Sequence, residues 1–100
     1  MLFRDVIDLI SVTYEQSPSG APIEVETPRQ VFANKRSVRQ SEFYAAAMVG
    51  LRPEIMFEVR TVEYQGEELL DYEGRRYEVI RSYDRNGEVT ELVCKAAVNE

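Results

Sequence analysis

Six tyrosines, a single cysteine and no histidine decide which chemistry is open to this chain. Without histidine it lacks the usual general base, proton shuttle and metal ligand near neutral pH. Cys94 cannot close an internal disulfide, and one thiol does not make a zinc cluster. Alternating with Leu92 and Ala96, it reads as a small, buried, inert hydrophobe. Glu67, Glu68, Asp71 and Glu73 crowd one short stretch and would suit a cation or a shared proton. They lack the spacing of a calcium loop, and no nucleophile or oxyanion motif accompanies them. A solvated acidic face is expected there, with no catalytic residue, metal or cofactor in the chain.

The strip Lys35-Arg36-Ser37-Val38-Arg39, joined later by Arg52, has three possible uses. It would touch nucleic acid, pair with an acidic neighbour in an assembly, or be a wet strand end. Acidic residues outnumber basic ones 18 to 12, for a net charge of −6. Gripping phosphate normally requires a basic face, because counterion release drives the binding. Lys35, Arg36 and Arg39 are therefore taken as candidate assembly contacts. Tyr14, Tyr44, Tyr64, Tyr72, Tyr77 and Tyr83 would suit a stacking platform for single strands. Without a basic groove, the expectation is barrel filling, with rings inside and hydroxyls at the rim.

Turn dipeptides Gln65-Gly66, Glu73-Gly74 and Asn86-Gly87 punctuate the C-terminal half. Between them the pattern has period two and predicts strands near 54–63, 68–72, 76–84 and 88–98, joined as a meander. Ile55, Phe57, Val59 and Thr61 share one face, with Glu54, Met56, Glu58 and Arg60 opposite. Tyr77, Val79 and Tyr83 line one side of the next long run, against Glu78 and Ser82. Leu92, Cys94, Ala96 and Val98 form the inner face of the last.

In the N-terminal half, Val6–Tyr14 is rich in β-formers and stops at an exposed loop, Gln16–Pro22. The stretch 23–38 would reach roughly 50 Å as one strand. A break near Thr27-Pro28 is expected, with a hairpin-like arm before it and a core strand after it. One short helix follows, with Ser41 as N-cap, an alanine run at Ala45–Ala47, Gly50 at the C′ position and Pro53 preventing continuation. Six strands and one short helix predict a mainly β domain, a small antiparallel six-stranded β-barrel spanning residues 1–100.

At 11.6 kDa, scaling predicts a folded surface of roughly 5,800 Å², enough burial for one small core. No apolar run approaches the ~20 residues of a membrane helix. The start Met1-Leu2-Phe3-Arg4-Asp5 meets an acid at once, so no export signal is expected.

The ordered series of residues goes further than composition. It runs Val31-Phe32-Ala33, Ser41-Glu42-Phe43-Tyr44-x-Ala46, Gly50 and Pro53. It continues Phe57-x-Val59-Arg60, Tyr72-x-Gly74-Arg75-x-Tyr77-x-Val79 and Leu92-x-Cys94. In this order and spacing, from about Val6 to Ala96, the chain resembles the head–tail joining proteins (head-closure or stopper proteins) of long-tailed double-stranded DNA phages and prophages. Phe32 stands where the family often has a tryptophan, which would keep an aromatic in the core. Ala96 stands where it often has an acid, so any contact made by that acid is missing.

The resemblance implies a barrel without catalysis, in a homo-oligomeric ring, a dodecamer, beneath the portal–adaptor complex and above a tail-completion or tail-tube protein. Such a ring retains packaged DNA without binding the passing duplex tightly. Its place would be the virion's head–tail interface, and the host cytoplasm during assembly, with no membrane. Twelve subunits would carry roughly −72 charges around the conduit, a field that keeps phosphate sliding. The free subunit is expected to be monomeric, with a mobile segment at Gln16–Thr27 that orders against a neighbour.

Within 40–54, two roles stand side by side. Phe43, Tyr44 and Met48 would plug a barrel end, while Val49, Gly50, Leu51 and Arg52 would face the channel as a gate, hinged at Gly50 and Pro53. The alternatives are a small cellular protein–protein adaptor and a nucleic-acid-binding barrel.

Overall fold

A computed structural model describes residues 3–97. The chain runs β1 (Asp5–Gln16), β2 (Pro22–Arg36), α1 (Gln40–Ala47), β3 (Ile55–Arg60), a 3-10 turn (Thr61–Glu63), β4 (Leu69–Tyr72), β5 (Arg75–Asp84) and β6 (Val89–Ala96). The strands close an antiparallel barrel in the order β1-β2-β3-β6-β5-β4. Side chains alternate in and out along each strand. Inward Ile7, Leu9, Val31, Ala33, Phe57, Val59, Leu70, Leu92 and Cys94 form the core. Phe57 sits among them with the rings of Tyr72 and Tyr77 edge-on at 5.1 and 6.1 Å. A barrel this narrow is filled by its own side chains.

The local turns form as their residues require. Glu73 and Gly74 have φ of 50° and 78°, the pairing of positive angles that a tight two-residue hairpin needs. Asn86 Oδ1 accepts from the N–H groups of Glu88 and Val89 to close the β5–β6 turn.

Several expectations are corrected. The last four strands are not a simple meander, because β3 pairs with β6 while β4 crosses over to pair with β1. Residues 61–68 therefore run across a barrel end, where Tyr64 packs on the core and donates its hydroxyl to the Glu67 carbonyl at 2.8 Å. This crossover packs on the core, whereas Phe43, Tyr44 and Met48 are exposed, and no residue of α1 is buried. A bulge at Ile80 shifts register between Val79 and Arg81, so Ser82 faces Leu92 and Tyr83 turns outward opposite Glu91. Phe32 also points outward, 62% exposed, opposite Val6. Val98 lies outside the described residues.

Strand β2 does not break at Pro28. It pairs with β1 without interruption from Ala33↔Asp5 to Pro22↔Gln16. Among the described residues its only partner from Pro28 to Pro22 is β1, so a missing N–H on the other edge costs nothing. The outer halves of both strands leave the barrel as a two-stranded arm ending in a turn at Ser17–Ala21. The arm stretches the molecule to 48 × 31 × 25 Å and raises its surface to 6816 Å², above the scaling value.

Candidate functional site

The outer wall of β3 and β6 carries an arrangement that alternation alone does not announce. Glu58 and Glu91 are register partners on that wall, and both are buried. Two adjacent carboxylates out of water repel one another and lose hydration, so each needs cations. Arg36 Nε donates to Glu58 Oε1 at 3.0 Å, and Arg85 Nη1 to Glu58 Oε2 at 2.9 Å. Arg39 forks onto Glu91, with Nη1 to Oε1 at 3.0 Å and Nη2 to Oε2, while Arg85 lies 3.6 Å from Glu91. The fork matches the planar guanidinium to the carboxylate. Its hydrogen bonds hold the Glu91 carboxyl below the ordinary range, against the opposite pull of burial.

This cluster sets the start of α1. Arg39 immediately precedes the helix and accepts the Phe43 N–H on its own carbonyl at 2.9 Å. Ser41, expected as N-cap, lies inside the first turn instead, and no side chain caps the helix. A tertiary ion pair thus does the orienting that a local cap usually does. Glu42 on the first turn pairs with Arg81 of β5, a second tie to the wall. Beneath the helix a crevice of about 190 Å³ is lined by Ala45, Ala46, Leu51, Ile80 and Val93.

The far end of α1 follows the sequence closely. Gly50 has φ +79°, its N–H reaches the Ala47 carbonyl at 3.1 Å, and the Leu51 N–H reaches Ala46 at 2.9 Å. That is the glycine-terminated helix end expected at C′. The helix and the turn after it present Phe43, Tyr44, Met48 and Val49 to solvent, Met48 at 88% and Val49 at 72%. Arg52 is exposed beside them and has no ion-pair partner among the described residues. The segment Val49, Gly50, Leu51 and Arg52 is thus a turn on the outside of the barrel wall, exposed except at half-buried Leu51, which lines the crevice.

The expected assembly contacts separate. Arg36 and Arg39 find their acids within the chain. Lys35 lies at the barrel rim, its ammonium 5.9 Å from the centre of the Tyr72 ring and its backbone N–H on Asp5 at 2.9 Å. The Tyr72 hydroxyl also donates to Asp5, at 3.1 Å, and burial pushes its pKa up to about 12. Tyr72 and Tyr77 fill the barrel as expected, whereas Tyr14, Tyr44 and Tyr83 are exposed.

The acidic stretch is not uniformly solvated. Glu67 is buried and accepts from Arg29 Nη2 at 2.6 Å and the Gln65 N–H at 2.7 Å. Among the described residues, no three metal-ligating side chains are grouped. Cys94 is fully buried, which pushes its thiol up to about 12.

Glu58, Glu91 and Arg85 escaped sequence reasoning as a site. Alternation placed Glu58 outward, but nothing local signals that an outward strand position will be covered. No family model matches the chain, and no curated protein matches it in sequence.

Proposed function

We propose that this chain is a ring-forming head-closure protein of a tailed phage or prophage, a non-catalytic part of the connector between head and tail. The observation that carries the reading is the exposed apolar and basic surface of α1 and the Val49–Arg52 turn, tied by ion pairs to a closed barrel. Contiguous exposed apolar residues mark interaction surfaces. In the ring, Val49–Arg52 would meet its copies around the conduit, with portal–adaptor above and tail protein below. The architecture is the one the resemblance implies, and the net charge of −6 favours a sliding duplex over a bound one.

Eight basic side chains, those of Arg29, Arg36, Arg39, Arg75, Arg76, Arg81, Arg85 and Lys95, are engaged with acids of the same chain. That leaves little for a phosphate-binding groove and counts against the nucleic-acid reading. The test begins with the flanking genes, which should encode a portal, a capsid protein and an adaptor. In DNA-filled heads of that phage, replacing Val49–Arg52 by a short glycine–serine link should let DNA escape while rings still assemble. Heads that keep their DNA and join tails would remove the gate from this turn. Absence of the chain from purified virions would overturn the connector reading itself.

A further inference from the structure

Among the described residues, the arm leaves two strand edges without partners, and they are not equivalent. Strand β1 pairs with β4 only from Asp8 to Ile10, so from Ser11 to Gln16 its outer edge is open. The open edge of β2 carries Pro22 and Pro28, which cannot donate to an added strand. Its counterpart on β1, Ser11-Val12-Thr13-Tyr14-Glu15-Gln16, has no proline or lysine, two usual devices that blunt an edge, and a single charge, Glu15. Beside it lies a cleft of about 390 Å³, lined by Ile10, Val12, Tyr14, Glu24, Glu68 and Leu69 among others.

Charge selects the occupant. No basic residue occurs between Asp5 and Pro28. Glu15, Glu24 and Glu68 have no cationic partner among the described residues, whereas Glu26 and Glu67 are taken by Arg76 and Arg29. A second copy of the arm would bring its own glutamates against these, and like charges across a strand pair destabilise it.

We infer that the β1 edge at Ser11–Gln16 docks an extended, lysine- or arginine-bearing segment of another protein as an added strand. Main-chain bonds to the edge supply affinity. On the face that carries Val12 and Tyr14, basic residues of the segment meet Glu24 and Glu68, and their aliphatic stems cover Val12 and Tyr14; Glu15 lies on the opposite face. The surface lies on the arm, away from the α1 face, and goes beyond the connector reading.

The test uses the whole chain and two capped peptides, one alternating lysine with valine and one alternating glutamate with valine. On titration, the lysine peptide should shift the amide resonances of Ser11–Gln16, slow their hydrogen exchange at alternate positions, and bind more weakly as salt rises. The glutamate peptide should leave them unchanged. The exposed-site double variant Glu24→Lys/Glu68→Lys should weaken binding about tenfold, and Tyr14→Ala provides an uncharged second variant that should also weaken it. Equal binding of both peptides, shifts confined to other strands, or no shift at millimolar peptide overturns the inference. Concentration-dependent pairing of these amides without peptide would assign the edge to a second copy and overturn it as well. DNA retention and peptide capture are read on different surfaces, so either result can fail alone.

Discussion

Arg39→Ala should cost more stability than removal of its buried partner, although Arg39 is the more exposed of the two. The Glu91 side chain is 2% exposed, and Arg39 supplies its forked pair of hydrogen bonds. Removing one member of a buried pair strands the other charge, at a cost of roughly 3–5 kcal/mol. Here Arg85 remains at 3.6 Å and the Arg39 side chain is itself 49% exposed. Those two facts lower the expected cost to about 2 kcal/mol. Glu91→Leu, by contrast, leaves Arg39 and Arg85 free to hydrate and should cost about 1 kcal/mol or less. The double variant Arg39→Ala/Glu91→Leu should be no worse than Arg39→Ala alone, since no buried charge is stranded.

Urea unfolding reads this directly. With a slope of about 1–1.5 kcal/mol/M, the Arg39→Ala midpoint should fall by about 1–2 M at constant slope. The same pair predicts a pH dependence. Because the folded Glu91 carboxyl is held low, chiefly by hydrogen bonding from Arg39, the unfolded chain binds more protons between the two pKa values. Stability from this pair is complete above the ordinary carboxylate value of about 4.3 and is lost as pH falls through the lowered folded value. Arg39→Ala should flatten that acid limb. A smaller loss for Arg39→Ala than for Glu91→Leu, or an unchanged acid limb, would refute the reasoning.

Gly50→Ala should cost about 1 kcal/mol in the same assay, because φ +79° strains any residue with a Cβ although open space surrounds the position. Its signature is faster amide exchange at Gly50 and Leu51, whose N–H groups close the helix end. Cys94 should resist thiol reagents in the folded protein at pH 8, since burial raises its pKa to about 12, and react stoichiometrically in denaturant. Rapid labelling of the native chain would show that β6 opens locally.

Much of the local structure is legible residue by residue. Glu73-Gly74 and Asn86-Gly87 mark their hairpins because few residues tolerate positive φ. Gly50 and Pro53 mark the end of α1 for the same kind of reason. Period-two alternation identifies Phe57, Val59, Leu92 and Cys94 as inward, and with the strand count it yields a small closed antiparallel barrel. Such signals depend on one residue and its near neighbours, which is what a sequence displays.

What tertiary structure decided is the set of contacts between segments far apart in the chain. Strand order is one: β4 leaves β3 to close on β1, and only the shared core chooses that partner. Burial of outward residues is another, since Glu58 and Glu91 look like solvated strand positions until Arg36, Arg39 and Arg85 converge from three other segments. One extra residue at Ile80 reverses the facing of everything after it, which no alternation rule anticipates. Pro28 expresses the same division. Its missing N–H is plain in the sequence, but whether that breaks the strand depends on which edge has a neighbour, and the closure of the barrel determines that.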